Sequence, residues 1–351
     1  MPMKFLRRVF GVTPSPRQAD DEGITITREA DSDALLEEPV IQSPEKDPAP
    51  AAANGGQGKL SQANDETDPL LEENLGGILG TRPLPRLETP PRMPGQRLVF
   101  GQFSDVGLVR GNNQDAIFAL LASSASSDGM PDFGVFIVAD GMGGHTDGEK
   151  AASITTRIVA QHVVEQILGA MLTQRMDDPE RPAITEILRE AFQLANRAVA
   201  TQIPEGGTTA SMAAVIGDLA YIAHVGDSRV YQISDAGIEQ ITRDHSLVQR
   251  LIELDQLTPE EAAEHPQRNV LYRAIGQNET LDVDAITRRL PPRSRLLLCS
   301  DGLWNLVPEE TIREISAAHS SPQEVCERLV ALANERGGPD NISVIVVQVP
   351  G

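Results

Sequence analysis

Four aspartates stand at the edges of strongly apolar runs: Asp140 in FIVADGMGG, Asp227 in IAHVGDSRVY, Asp301 in LLLCSDGLW and Asp340 in GGPDNISVIVV. A carboxylate beside a buried strand is costly unless something neutralises it. Any one of the four has an ordinary reading, because Asp-Gly is a common turn dipeptide and a loop Asp often caps its own backbone. Taken together, each beside glycine or another small residue, they imply that distant strands deliver acids to one place. A hard divalent cation, which prefers oxygen ligands, is the simplest agent to hold them there. Ahead of them, SDVGLVRGNNQD sets Arg110 five residues before Asp115 in a Gly/Asn-rich loop. On its own Arg110 reads as a surface arginine in a turn, but a guanidinium beside a carboxylate–metal centre is suited to gripping phosphate bidentately.

Rival chemistries fit less well. GGHTDGEK lacks the Gly-Lys-Ser/Thr ending of a phosphate loop, GMGG is not GxGxxG, and the sequence has no HExxH. GDSR and GTTAS are not the GxSxG nucleophile elbow. The six histidines show no metal-ligand spacing. An acid-rich, histidine-poor set favours Mg2+ or Mn2+ over Zn2+. Two such ions about 3.5–4 Å apart can clamp a phosphoryl group.

The elements that must position these residues follow from periodicity. RLVFGQFSDVG reads as an opening strand and turn, and DFGVFIVAD as an apolar strand ending at Asp140. GEKAASITTRIVAQHVVEQILGAML and AITEILREAFQLANRAVATQI carry apolar residues at helical spacing and form an antiparallel pair. SMAAVIGDLAYIAHVGD is a hairpin turning at Gly217-Asp218, and SRVYQISDAGIEQIT is another turning at Asp235-Ala236-Gly237. Residues 244–270 are polar and helical, an excursion from the sheet. RSRLLLCSDG is a strand ending at Asp301, PEETIREISAA and PQEVCERLVALANERG are helices, and NISVIVVQV is the closing strand. Strands, a helix pair, more strands, a second helix pair and a last strand suit antiparallel sheets covered by helices rather than a βαβ repeat.

Composition divides the 351 residues near position 96. Residues 1–95 hold thirteen of the 25 prolines, and residues 20–73 hold fifteen acids against three bases. Such a segment is expected to be a disordered, acidic arm. Within it, DPLLEENLGGIL reads as linker or as a docking motif, and KFLRRVF gives only marginal membrane contact. The formal charge of −21 argues against nucleic acid and anionic lipid as partners. No run approaches eighteen apolar residues, so integral membrane contact is not expected. The N-terminus lacks an apolar secretory core. Cys299 and Cys326 have no CxxC partner, which fits a reducing, cytoplasmic setting.

RGNNQD, VADGMGGH, GTTA, HVGDSRVY, TRDHS, LLLCSDGLW and GPDNISVIVV occur in the order of the metal-dependent protein phosphatase 2C family, bacterial branch, and the resemblance spans roughly residues 97–349. It implies an α+β fold, a four-layer αββα sandwich of two antiparallel sheets flanked by antiparallel helix pairs, over a catalytic domain at 96–351. It also implies hydrolysis of phosphoserine and phosphothreonine on proteins with two Mn2+ or Mg2+ ions and a third in some members. In that family pattern Asp140 resembles the carboxylate bridging two metals, with the Gly141 carbonyl on one of them. Asp301 and Asp340 resemble ligands of the second ion, Asp115 the holder of a metal-bound water, Asp227 with Asp301 the third-metal site, and Arg110 the phosphate-binding arginine. Residues 244–270 fall where the family has a mobile flap. The implied partners are phosphorylated proteins, substrates of a bacterial Ser/Thr kinase, and the implied state is a monomer. Two positions depart from the animal members: Gln114 replaces a glutamate, and Met142 replaces a histidine proposed as general acid. The alternative is a catalytically silent phosphoprotein-binding regulatory module of the same fold.

Overall fold

Every residue from Phe133 to Ala139 is buried, so this strand has no wet face. Its side chains alternate between two cores: Phe133, Val135, Ile137 and Ala139 enter one, Phe136 and Val138 another. The same division recurs near the C-terminus, where Ile342, Val344 and Val346 face a third core while Ile345 and Val347 join Phe136. A period of two with both phases apolar is what a strand needs when it is covered on each side. These three cores lie between four layers.

The computed structural model describes residues 97–124, 129–143 and 147–351. The arm expected over residues 1–95, with its DPLLEENLGGIL and KFLRRVF segments, lies outside the described residues. The described chain opens with β1 (Val99–Asp105), β2 (Asp115–Ala122) and β3 (Phe133–Met142). Helix α1 (Asp147–Val163) runs through one π turn into α2 (Gly169–Leu172), and α3 (Ile184–Gln202) follows. Next come β4 (Gly207–Thr208), β5 (Ala210–Ile216), β6 (Leu219–Val225), β7 (Arg229–Ser234) and β8 (Gly237–Gln240). The excursion holds α4 (Leu247–Glu253) and α5 (Pro259–Ala263). The chain closes with β9 (Asp284–Arg289), β10 (Arg295–Cys299), α6 (Asp301–Trp304), α7 (Glu309–Ala318), α8 (Pro322–Glu335) and β11 (Ile342–Gln348).

One sheet has the order β1-β11-β10-β7-β8 and the other β2-β3-β5-β6-β9, with β4 pairing the end of β3; all these pairings are antiparallel. Helices α1 and α3 cover the second sheet through Ala151, Val159, Leu188, Phe192 and Val199. Helices α7 and α8 cover the first through Ile312, Val325, Leu329 and Val330. Between the sheets, the Phe100 and Phe136 rings meet at 5.5 Å between centroids. This is the expected αββα sandwich. Both cysteines are free and buried in the core under α7 and α8, where burial pushes their thiols up to about 12, so they act as small apolar residues.

Both anticipated hairpins form, with Gly217 at a φ of +60° in the first. Several elements were not anticipated. β2 pairs with β3 along its full length, β9 is a polar edge strand, and α6 turns the chain directly after β10. The excursion at 244–270 leaves and rejoins through a neck. Tyr272 donates its N–H to the His245 carbonyl at 3.0 Å, and Leu247 donates to Val270 at 2.8 Å.

Candidate metal centre

Antiparallel pairing brings the candidate acids to one rim of the sandwich. Asp115 opens β2 and lies directly opposite Asp140 on β3 in the strand register. Asp301 begins α6, immediately after β10, and Asp340 lies just ahead of β11; β10 and β11 are neighbours in the other sheet. Asp227 occupies the loop between β6 and β7, where the chain passes from one sheet to the other. Arg110, on the loop between β1 and β2, pairs with Asp340 at 2.7 Å and keeps 49% of its side chain exposed. The structure thus gathers every residue that the sequence singled out at the same seam.

Electrostatics report how close the acids are. Burial, then the charges of Asp115, Asp301, Asp227 and Asp340, holds the Asp140 carboxyl well above the usual carboxylate range. Burial pushes Asp115 up to about 7, with the Ser343 and Ser300 hydroxyls pulling back and Asp301 and Asp340 adding to the rise. Asp301 is pushed up to about 6 by burial and Asp340, offset by hydrogen bonding to Asp140 and by Arg110. Asp227, 8% exposed, is raised by burial, Asp301 and Asp244 against the pull of Arg229. Asp115, Asp140 and Asp301 keep some contact with solvent at the rim.

Two buried oxygens, Asp115 Oδ1 and Asp301 Oδ1, have no hydrogen-bond partner. Buried acceptors are rarely left this way. Five mutually repelling carboxylates, two of them with an orphaned oxygen, make a donor set suited to hard divalent cations. Among the described residues, no three acidic, histidine or cysteine side chains stand close enough to form a closed ligand cage. An open set fits hard cations such as Mg2+ or Mn2+, which complete their coordination with water.

The glycines after the acids answer to packing. Neither Gly141 nor Gly302 has a positive φ. A Cβ on Gly141 would stand 2.2 Å from the Gly148 carbonyl oxygen, and one on Gly302 would stand 2.0 Å from that of Asn341. Asp140-Gly141 is therefore a strand segment in close contact with the start of α1, not a turn. Gly302 lets α6 press against the residue that follows Asp340.

Several residues that the sequence reading passed over hold the acids in place. Ser300 donates its hydroxyl to Asp115 Oδ2 at 2.8 Å and accepts the Ser343 N–H at 2.9 Å. Thr209 Oγ1 accepts the Asp140 N–H at 3.0 Å, and the Thr208 hydroxyl donates to the Asp140 carbonyl at 2.8 Å. Asn341 accepts the Gln114 N–H at 2.8 Å and donates to the carbonyls of Val106 at 2.9 Å and Asn112 at 3.0 Å. Thr208, Thr209, Ser300 and Asn341 all lie within motifs already quoted, GTTA, LLLCSDGLW and GPDNISVIVV, and that adjacency was the available signal. The Met142 thioether meets the Gln277 amide at 3.4 Å and offers no proton.

Residues 110–335 match the family profile described as protein phosphatase 2C. The serine/threonine phosphatase stp of Listeria monocytogenes is 34% identical over 247 residues, covering 70% of this chain and 93% of that protein. The serine/threonine protein phosphatase PstP of Mycobacterium tuberculosis is 37% identical over 257 residues, covering 70% of this chain and 44% of that longer protein. Among solved structures, the S. agalactiae serine/threonine phosphatase aligns at 30% identity with a TM-score of 0.62, over 72% of this chain and 99% of that one. The PstP catalytic domain in complex with two manganese ions aligns at 32% identity with a TM-score of 0.58, again over 72% and 99%. Among the described residues no helix is long and apolar enough to cross a membrane. With its acids on this rim and these relatives along the folded part, the chain belongs to the protein phosphatase 2C family, among the bacterial serine/threonine phosphatases.

Proposed function

We propose that the rim of acids is a two-cation active site that hydrolyses phosphoserine and phosphothreonine on proteins, the substrates of a bacterial Ser/Thr kinase. The observation that carries this reading is that the Asp140 carboxyl feels Asp115, Asp301, Asp227 and Asp340 together, at a seam with two orphaned carboxylate oxygens. In this reading Asp140, the Gly141 carbonyl, Asp301 and Asp340 would hold the two ions. Asp115 would orient water, and Asp227 with Asp301 would hold a third ion. Mn2+ and Mg2+ both accept this donor set, and the manganese-bound relative favours Mn2+. When bound, the cations supply Lewis acidity at the phosphoryl group and lower the pKa of water.

The chain's own residues do the rest. The exposed fork of Arg110 offers paired N–H donors to two phosphate oxygens and offsets charge on them as the P–O bond breaks. Ser300 fixes the Asp115 carboxylate from behind, leaving Oδ1 free to face the reacting water. Met142 holds no exchangeable proton, so the departing serine or threonine oxygen must take its proton from water or from another acid. A silent binding module of the same fold would call for missing ligands, and every matching acid is present. The test is phosphate release from a phosphothreonine peptide by the full chain with Mn2+, which EDTA should stop. Activity that persists unchanged in EDTA would overturn the cation reading. Asp301→Asn should lose most turnover with its fold intact, and near-normal rates would overturn the site assignment.

A further inference from the structure

The chain has a single tryptophan, which bonds to the backbone of one rim acid, Asp227, and shares a helical turn with another, Asp301. Trp304 is the last residue of the helical turn that Asp301 begins. Its indole N–H donates to the Asp227 carbonyl at 3.0 Å. The Arg229 guanidinium lies over the ring, 3.6 Å from its centroid. Arg229 in turn grips buried Asp244 with its fork, at 2.8 Å from Nη2 and 3.1 Å from Nε, and donates to the Tyr231 hydroxyl at 3.0 Å. Asp244 stands at the base of the 244–270 excursion, beside His245. His245 closes the other side of the same loop: its N–H reaches the Gly226 carbonyl at 2.7 Å, and its Nδ1 accepts the Gly226 N–H at 3.1 Å.

The Asp227 loop is therefore held from two directions. Trp304 pulls on the carbonyl of Asp227, and His245 pins both backbone groups of Gly226. Asp227 lies on the loop between β6 and β7, and Asp301 begins α6. One rigid ring links them: its turn carries Asp301, and its N–H carries Asp227. A flat ring with one donor, clamped by a cation on its face, fixes spacing in a way that a flexible side chain cannot.

We propose that Trp304, braced by Arg229 and Asp244, is a positioning residue that sets the separation of Asp227 and Asp301 and links cation binding at that pair to the base of the 244–270 segment. This rests on the reading of the rim as a cation site. Partners that orient ligands from behind typically change metal affinity by about 10–100-fold when removed. Because the ring is the only indole, its emission reports the event directly.

The experiment is a Mn2+ and Mg2+ titration of the full chain, followed by tryptophan emission and, in parallel, by calorimetry. Wild type should show a saturable emission change, and Asp227→Asn should abolish it. Trp304→Phe keeps a ring for Arg229 but loses the N–H, and one calorimetric Mn2+ step should weaken by about 10–100-fold. Arg229→Lys keeps the charge and loses the fork. It retains Trp304, so the emission change should persist but move to higher cation concentration, which tests the clamp even if Trp304→Phe does not fold. Uptake of Mn2+ with an unresponsive Trp304, or an Arg229→Lys titration superimposable on wild type, would overturn the positioning role alone. No Mn2+ uptake by wild type would overturn the cation reading, and this role with it.

Discussion

Replacing Asn341 by alanine tests whether the seam is held by a few polar side chains. Asn341 is 4% exposed and makes three bonds, to the N–H of Gln114 and to the carbonyls of Val106 and Asn112. A hydrogen bond contributes about 0.5–1.5 kcal/mol net, and a buried partner left unsatisfied costs about 1–3 kcal/mol. Rim water can reach some of the freed groups, so the sum comes to about 2–4 kcal/mol. For a domain of this size each kcal/mol moves the melting temperature by about 2–4 °C. The expected fall is therefore about 4–16 °C, read in a thermal melt. The effect on function follows from what the bonds tether. All three partners lie in the stretch 106–114 that carries Arg110, so the guanidinium loses its fixed bearing on the phosphate. The KM for a phosphothreonine peptide should rise by about tenfold, equivalent to about 1.4 kcal/mol of lost binding. A melting temperature within about 2 °C of wild type, with KM unchanged, would refute the reasoning.

Further outcomes can be checked on the same protein. Gly302→Ala places a Cβ 2.0 Å from the Asn341 carbonyl oxygen, so α6 must move away from the start of β11 and carry Asp301 away from Asp340. Mn2+ affinity measured by calorimetry should fall, and an unaltered isotherm would contradict the packing argument. Arg110→Ala should raise KM and weaken inhibition by free phosphate more than it lowers kcat; an unchanged KM would mark Arg110 as a solvated surface residue. In EDTA, Asp115 and Asp301 titrate near about 7 and about 6 in the folded state, against about 3.9 for an unfolded aspartate. The folded chain then binds more protons than the unfolded one, so these groups contribute stability that is complete below about pH 4 and lost as pH rises to about 7. Melts across that range should show the decline, and Asp115→Asn should flatten it. An identical slope in the variant would show that Asp115 is not the group responsible.

How much of this was legible depended on whether the signal lay in a run or in a contact. β3, β10 and β11 announced themselves because both phases of their period-two pattern are apolar, a demand imposed by two covering layers. β2 did not, because DAIFALLA is rich in leucine and alanine and reads equally well as helix; pairing with β3 over its whole length decides its state. β9 was hidden for the opposite reason. It is an edge strand whose Arg288 and Arg289 reach Glu239 and Asp218, so it shows a charged pattern where a strand signal was sought. The acids were found because a carboxylate beside an apolar run is expensive. Ser300 and Asn341 were not, because a serine or asparagine there is cheap and its meaning lies in partners 185 and 227 positions away.

Those two long-range bonds show why the chemistry stands where it does. Asp115 and Asp140 belong to one sheet, Asp301 and Asp340 flank strands of the other, and Asp227 lies at the crossing between them. Such a set exists only if the sheets keep a fixed distance, and the apolar layer of Phe136, Val138, Leu296, Leu298, Ile345 and Val347 supplies that along the sandwich. At the rim the apolar layer ends, and like charges push the sheets apart. There Ser300, just past β10, reaches Asp115, and Asn341, just ahead of β11, reaches Gln114, so each bond ties one sheet to the other beside the acids. A cation bound between the same carboxylates would act in the same direction, because a ligand held only by the folded state adds to its stability. The strain of gathering five acids and the means of relieving it thus lie in one place. The sequence holds the rim together with hydroxyls and amides alongside the Arg110–Asp340 ion pair.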